Sequence, residues 1–395
     1  MKRAWLGRFA LFASTTLLVS ESSNARDSAR VQRVFVGNSA LAACEGLDAT
    51  NSNRARRAFP TRPEVVLRAR VAGGIGQAPV SDAYGNLFIV HAEPRVSKLD
   101  AKGRTLWSER LTSEASAAPV LTSSNSLLIV TRDGEALLYS STGKLRAKHA
   151  LPFSDPKRRA LAIPTEQGGA LLASGSELIE LDERGQVVRQ LRASANLSAI
   201  GIADATLIAV AQNGSVQVAR ATGDFETVGN FAGSVTEGAA VVRGKVLAVV
   251  DGHRWSALDV ESGRVATLVN ETALTLSGPP AVLEAPAAAL IADGGFVSVR
   301  AKDGTERARV ATSAASLGFD PAQRGLRAAL VIGDPRGAIA AVRGGNDVLL
   351  LSPDGNALRL DDTSCLDPFR PTPTASGLLF ACRSGQLFGV SDRAQ

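Results

Sequence analysis

Residues capable of catalysis or metal binding are scattered through this sequence of 395 residues. The three histidines, His91, His149 and His253, lie far apart, and none has a second ligand at the spacing of a metal site. The sequence contains no nucleophile elbow and no phosphate-binding loop followed by a helix. Asp361 and Asp362 form a carboxylate pair, which we interpret as solvated surface after a strand. The sequence therefore predicts no catalytic residues, no metal site and no bound cofactor.

Two short groups of cationic and aromatic residues are candidate partner contacts. They are Lys157, Arg158 and Arg159 in one polar stretch, and His253, Arg254 and Trp255 in another. A cationic stretch can contact an anionic membrane or protein, and basic-aromatic pairs are common where proteins bind one another. The alternatives are a solvated loop for the first group and an ordinary turn histidine for the second. The net charge of +6 is too small and too dispersed to predict nucleic-acid binding.

The N-terminus has the features of an export signal. Basic residues at positions 2, 3 and 8 precede an apolar run, Phe9 to Val19, and Ser23 and Ala25 place small residues before a cleavage site. We therefore predict a signal peptide over residues 1–25, with a retained membrane anchor as the alternative. Residues 26–62 mix Arg, Ser, Asn and Ala without a sustained period, which predicts a flexible tether. No later segment has the apolar length of a transmembrane helix.

The predicted tether contains one motif. Leu41-Ala42-Ala43-Cys44 resembles the lipobox of bacterial lipoproteins, in which the cysteine is acylated and anchors the protein to the membrane. A lipobox normally follows the apolar stretch directly, whereas the best apolar run of this sequence ends at Val19. Cys44 is therefore a candidate lipid attachment site, and an ordinary linker cysteine is the alternative.

An internal repeat dominates the sequence from Pro63 onward. One apolar strand pattern occurs eight times, starting at residues 86, 126, 170, 206, 246, 288, 338 and 378. A turn, a third strand, a second turn with glycine and a fourth strand follow most copies. Four antiparallel strands in about 40 residues, repeated without helices, are typical of a β-propeller. We therefore predict an all-β, eight-bladed β-propeller over residues 63–395, with seven blades as the alternative.

The last repeat has no fourth strand of its own. Val65 to Val71 has a strand pattern and precedes the first complete repeat, so we predict that it completes the last blade and closes the ring. Cys365 precedes the first strand of that blade and Cys382 ends its second strand, which places both at one face. In an oxidising compartment this predicts a Cys365–Cys382 disulfide, with two separate thiols as the alternative.

The repeats resemble those of the pyrroloquinoline-quinone-type propellers, in which each unit ends with an Ala-x-Asp pair, a Thr-Gly turn and a tryptophan. Ala257, Asp259, Ser262 and Gly263 carry the best match to the turn, and Trp107 matches the tryptophan. Most other tryptophan positions hold alanine, arginine or threonine. The resemblance spans residues 63–395 and implies the propeller fold.

The family has two functional classes. Its quinoprotein dehydrogenases hold the quinone over Ca²⁺ in the central channel, and none of their cofactor-binding residues can be matched here. Its non-catalytic class includes the propeller lipoprotein of outer-membrane β-barrel assembly, which this chain resembles more. We therefore expect a non-catalytic, monomeric scaffold that binds envelope proteins, periplasmic or secreted, and anchored to the outer membrane if Cys44 is acylated. A quinone- and Ca²⁺-dependent dehydrogenase is the alternative.

Overall fold

The computed structural model describes residues 40–392 except 221–222, 237, 243, 271–275, 285–286, 293–295, 301–305, 312–329, 337–338, 344–346, 352–356 and 361–367. All described residues belong to one compact unit, Val36–Gln395. Within them the chain forms strands, turns and irregular segments, and these parts contain no apolar helix of membrane-spanning length. The predicted signal peptide, residues 1–25, lies outside the described residues.

The strands of the described residues fall into eight four-stranded antiparallel sheets, numbered here along the chain. Sheet 1 contains β2 (Val80–Ser81), β3 (Leu87–Val90), β4 (Arg95–Leu99) and β5 (Thr105–Arg110). Sheet 2 contains β6 (Val120–Leu121), β7 (Leu127–Val130), β8 (Glu135–Tyr139) and β9 (Leu145–Ala150). Sheet 3 contains β10 (Leu161–Pro164), β11 (Ala170–Ser174), β12 (Glu177–Leu181) and β13 (Val187–Arg192). Sheet 4 contains β14 (Leu197–Ala203), β15 (Thr206–Ala211), β16 (Ser215–Ala219) and β17 (Glu226–Asn230).

The second half of the chain repeats this order. Sheet 5 contains β18 (Ala239–Val242), β19 (Lys245–Val250), β20 (Arg254–Asp259) and β21 (Val265–Asn270). Sheet 6 contains β22 (Leu276–Glu284), β23 (Ala287–Ala292), β24 (Phe296–Arg300) and β25 (Glu306–Ala311). Sheet 7 contains β26 (Leu330–Gly333), β27 (Ile339–Arg343), β28 (Asp347–Leu351) and β29 (Ala357–Leu360). Sheet 8 contains β30 (Thr372–Pro373), β31 (Gly377–Ala381), β32 (Gln386–Asp392) and β1 (Pro63–Arg70).

Burial depends on the position of a strand within its sheet. Second and third strands such as β7 and β8 are buried over nearly their whole length, because sheets pack on both of their faces. Fourth strands such as β9 and β13 are mostly exposed or half-buried. The apolar runs of the sequence therefore mark the middle strands, and the charged runs mark the outer strands.

The chain closes through sheet 8. β1 pairs antiparallel with β32, from Pro63 opposite Asp392 to Arg70 opposite Gln386, with one irregularity between Val65 and Leu67. Without β1, the main-chain groups along β32 would form an open sheet edge. The predicted pairing of the N-terminal strand with the last hairpin is confirmed.

The first strand of each sheet lies innermost. Neighbouring first strands contact one another from β2 through β6, β10, β14, β18 and β22 to β26, and β30 contacts β2. The opposite edge of each sheet is its fourth strand. This arrangement is that of a β-propeller, in which the first strands surround a central channel.

Trp107 shows how one sheet docks on the next. Its indole Nε1 donates to Ser141 O at 3.1 Å, and its ring stacks on Tyr139 of sheet 2. The ring covers Gly143, where an added Cβ would lie 2.8 Å from it. In the next pair of sheets His149 lies over Gly185 in the same way, so another side chain takes the place of a tryptophan.

The residues of the predicted tether that the structure describes, from residue 40 onward, pack into the fold. Ala42, Ala43, Cys44 and Asn53 are almost completely buried, and Phe59 packs against sheets 7 and 8. The prediction of a flexible linker over residues 26–62 is therefore wrong from residue 40 onward. Small side chains without a period indicated disorder, whereas here they fit a narrow space between sheets.

Candidate functional site

Residues 40–59, called the central segment below, run past the inner strands in the order of the sheets. In six sheets the inner strand donates one backbone N–H to a carbonyl oxygen of this segment. The six hydrogen bonds are Ser81 to Ala42 (3.0 Å), Leu121 to Ala43 (2.8 Å), Ile202 to Ala49 (2.8 Å), Val241 to Thr50 (2.9 Å), Val282 to Ser52 (3.0 Å) and Gly333 to Asn53 (3.0 Å). The first strand is the inner edge of each sheet, so these N–H groups point into the channel.

Side chains connect the segment to the two remaining sheets. The Glu45 carboxylate accepts from Arg159 Nη2 at 2.9 and 3.0 Å, and Arg159 precedes β10 of sheet 3. Arg57 Nη1 donates to Ala375 O of sheet 8 at 2.8 Å. The central segment therefore contacts all eight sheets of the described structure.

The course of the segment is set by one turn and by three residues with positive φ. Asp48 Oδ1 accepts from the Thr50 and Ser52 N–H groups, and Leu47 has a φ of 73°. Asn51 and Asn53 have φ values of 53° and 52°, a region that asparagine adopts more readily than most residues. Their side-chain amides donate to Ala239 O and Pro280 O at 2.9 and 3.0 Å.

Asp334 holds the end of the segment. It is fully buried, and its carboxylate accepts from the Phe59 N–H and from the Arg336 N–H, both at 2.8 Å. The Phe59 ring packs with Ile332 and Phe380. The chain then leaves the channel between sheets 7 and 8 and enters β1.

Cys44 is a free, buried thiol in this segment. Its Sγ donates to Asp48 O at 3.2 Å, and burial raises its pKa well above the usual range. A side chain that is 1% exposed has no room for acyl chains. The structure therefore does not support the lipid attachment predicted at Cys44.

Arg370 is a buried cation beside the segment. It is 8% exposed, and its Nη1 donates to the Glu45 carbonyl oxygen at 2.8 Å. Burial lowers its pKa, and its Nε has no hydrogen-bond partner among the described residues. The Glu45 carboxylate opposes this lowering at Arg370, and at Arg159 it is the main cause of a raised pKa. Two guanidinium groups therefore converge on one residue of the central segment.

In the structure, the three residues of the predicted basic group have different surroundings. They are Lys157, Arg158 and Arg159. Lys157 is exposed in a turn, and Arg158 Nη1 donates to Asn196 Oδ1 at 3.4 Å. Arg159 alone reaches the central segment. Only one of the three residues therefore lies at the channel.

The prediction that His253, Arg254 and Trp255 form one contact surface is wrong for Trp255. Trp255 is 0% exposed and packs with Val249 and Leu276 inside the fold. Arg254 pairs with Asp251 at 2.7 Å, and His253 is exposed in the turn. Trp255 is the second residue of β20, and its side chain faces the core, so no basic-aromatic surface forms.

Cys382 directly follows β31 and is disulfide-bonded. Cys44 is free, and Cys365 lies outside the described residues. The predicted Cys365–Cys382 disulfide therefore stays a prediction. The disulfide-bonded state of Cys382 agrees with it.

One hydrogen-bonded group was missed by the sequence reasoning. His91 Nδ1 donates to Ala72 O at 3.1 Å, and His91 Nε2 forms a hydrogen bond with Ser97 Oγ at 2.8 Å. Ser97 also contacts Ser108 Oγ at 2.9 Å, and all three side chains line a cavity of about 360 Å³. The group connects the third and fourth strands of sheet 1 to the connection after β1. No short sequence motif links residues 72, 91, 97 and 108.

A quinone would not fit the channel as it stands. The central segment occupies the space between the inner strands, and its carbonyl oxygens already accept from six of them. Among the described residues, no group of three or more His, Cys, Asp or Glu could hold a metal ion.

Comparison with known proteins identifies related folds. A profile of the family described as outer membrane protein assembly factor BamB matches residues 52–266. BamB from Moraxella catarrhalis superposes with a TM-score of 0.64 at 17% identity, covering 84% of this chain and 98% of that one. The computationally designed protein Ika8 has a TM-score of 0.65 at 14% identity, covering 83% and 99%. A streptogramin B lyase has a TM-score of 0.52 at 13% identity, covering 85% and 99%. No curated protein sequence matches the chain.

Proposed function

This chain belongs to the outer membrane protein assembly factor BamB family, and from this premise we propose that it is an exported, non-catalytic scaffold that binds proteins in the bacterial envelope. Its eight sheets would form the blades of one closed, eight-bladed ring. The family supports a location in the envelope and a role in protein interaction.

The main support for a non-catalytic role is that the central segment lies in the channel. Propeller enzymes that use a flat cofactor need room along the axis, and here residues 40–59 take up that room. The alternative, a quinone-dependent dehydrogenase, would require the segment to leave six backbone hydrogen bonds. The lyase of similar fold shows that the propeller itself does not decide between enzyme and scaffold.

Two exposed apolar side chains are suited to testing the scaffold role. Tyr84, which is 78% exposed, lies in the turn between the first two strands of sheet 1, and Val188, which is 59% exposed, lies on the outer strand β13. A photo-crosslinking amino acid at position 84 captures partners at one end of the channel. The same amino acid at position 188 captures partners at the outer rim. Neither side chain contributes to the core, so the fold is expected to tolerate both replacements.

The experiment is crosslinking in living bacteria of the native host, followed by cell fractionation and mass spectrometry. We expect discrete heterologous adducts from at least one position, in the envelope fraction, that are absent without irradiation. Monomer alone at both positions, or a cytoplasmic location, would contradict the proposal. Dye reduction by the purified protein with pyrroloquinoline quinone and Ca²⁺ would favour the dehydrogenase.

A further inference from the structure

We propose that the inner wall of the ring is a binding site for an extended peptide with one carboxylate, and that the central segment occupies this site in cis. The partner would be an extended segment of another envelope protein that replaces residues 40–59. This inference rests on the proposed scaffold function, because it names the site at which one partner is held.

The first support is the type of contact. Six inner strands recognise the central segment through N–H groups that bind carbonyl oxygens, a contact that any extended main chain can make. Side chains add selectivity. Ala42 and Ala43 provide two of the six carbonyl oxygens and are almost completely buried, so a replacing peptide needs small residues at these two positions.

The second support is the pair of arginines. Arg159 binds the Glu45 carboxylate, whereas buried Arg370 donates from Nη1 to the Glu45 main-chain carbonyl oxygen and has no partner for Nε in the described structure. A buried guanidinium is stabilised most by a bidentate carboxylate. The cis occupant therefore leaves part of this site unused, and a peptide whose carboxylate reaches Arg370 would bind in preference.

The third support is the connection between the segment and β1. Thr61 and Arg62 are exposed, and their backbone nitrogens each donate to the exposed Asp392 carboxylate at 2.6 Å. The strand β1 is held in the ring by its own antiparallel pairing with β32. A cut after Pro60 would thus separate the occupant from the ring without removing a strand.

The test begins with the folded, full-length chain. A specific protease site is inserted between Pro60 and Thr61, the protein is cut after folding, and a fluorescently labelled peptide of residues 40–59 is added. Anisotropy reports whether this peptide replaces the cut segment. We expect saturable, one-to-one exchange at a temperature at which the near-ultraviolet circular dichroism is native.

Matched variants test the arginine site. Arg159→Ala should weaken binding of the labelled peptide about threefold, and Glu45→Gln in the peptide should weaken it similarly, because both remove the same solvent-accessible ion pair. Arg158→Ala is the control, since Arg158 reaches Asn196 rather than Glu45. If Arg159→Ala and Arg158→Ala bind the labelled peptide equally, the assignment of the carboxylate site is overturned.

The outcomes separate the two proposals. Label incorporation only after thermal unfolding would show that residues 40–59 are a fixed part of the fold, and would overturn this inference. If crosslinked partners are still found at Tyr84 or Val188 in that case, the scaffold function stands and only the channel site fails.

Discussion

Arg370 meets Glu45 through the main chain and not through the carboxylate. Its Nη1 donates to the Glu45 carbonyl oxygen at 2.8 Å, while the Glu45 carboxylate accepts from Arg159. The same residue of the central segment is therefore held by a buried cation at its backbone and by an exposed cation at its side chain. These two contacts should differ strongly in their effect on stability.

Glu45→Gln should lower the free energy of unfolding by less than about 1 kcal/mol, because it removes only a solvent-accessible ion pair. Arg370→Ala should cost about 2 kcal/mol, because it leaves a cavity and an unpaired carbonyl oxygen. Urea unfolding of both variants measures this difference. Similar midpoints for the two variants would show that the buried guanidinium does not hold the segment.

Asp334 and Asp392 each accept backbone N–H groups next to the exit of the central segment, but only Asp334 is buried. Asp334→Ala should lower the free energy of unfolding by about 2 kcal/mol, since it leaves the Phe59 N–H without a partner. Asp392→Ala is the matched control and should cost less, because water can replace its carboxylate. Chemical denaturation of both variants measures these values. The slope of the free energy of unfolding against denaturant concentration should be unchanged.

Gly143 and Gly223 occupy equivalent turns with different surroundings. Gly143 has a φ of 87° and lies under Trp107, whereas an added Cβ at Gly223 would meet nothing within 4 Å. Gly143→Ala should therefore destabilise the protein by about 2 kcal/mol, through backbone strain and displacement of the indole. Gly223→Ala should be close to neutral. Melting temperatures and Trp107 fluorescence distinguish these outcomes.

His91 should make stability depend on pH. Burial lowers its pKa from 6.5, against the opposing effect of its hydrogen bond to Ala72 O. Below pH 6.5 the unfolded chain binds a proton that the folded chain does not, so its stability contribution is complete above that pH and falls as the pH drops toward the folded pKa. The loss is at most about 1.4 kcal/mol per pH unit.

Unfolding measured between pH 8 and pH 5 in roughly half-unit steps tests this dependence. His91→Asn should reduce the slope of the free energy of unfolding against pH. An identical slope in the wild type and in His91→Asn would exclude His91 as its source.

The cysteines should differ in reactivity. In the native, unreduced protein we expect Cys44 to resist alkylation, because it is buried and its raised pKa disfavours the thiolate. Non-reducing peptide mapping should recover Cys365 joined to Cys382, and reduction should lower stability by about 3 kcal/mol. Rapid labelling of Cys44, or recovery of Cys382 as a thiol, would contradict these expectations.

The repeat made most of the sheet structure predictable. Apolar runs marked the buried middle strands, and Gly103, Gly143 and Gly185 marked the turns that need positive φ. The absence of a fourth strand after β32, together with a strand pattern at Val65, predicted the pairing of β1. The strand and turn patterns are visible because they recur and depend on residues close in sequence, and the pairing of β1 followed from counting the strands of each repeat.

The site was not predictable in the same way. Residues 40–59 have no repeat and no strand period, so their composition indicated a tether. The signals that could have corrected this interpretation are small residues together with Asn51 and Asn53, whose positive φ values allow the chain to turn repeatedly. Alone, such a composition is equally typical of disorder.

The sequence by itself determined the strands, their turns and the closing partner of β32, because hydrophobic periodicity and glycine position are local properties. The tertiary structure alone decided where residues 40–59 lie, because their contacts join positions as distant as Asn53 and Pro280 or Glu45 and Arg370. It also decided that Cys44 and Trp255 are buried. Such burial depends on which sheets surround a side chain, and that is settled only when the ring is closed.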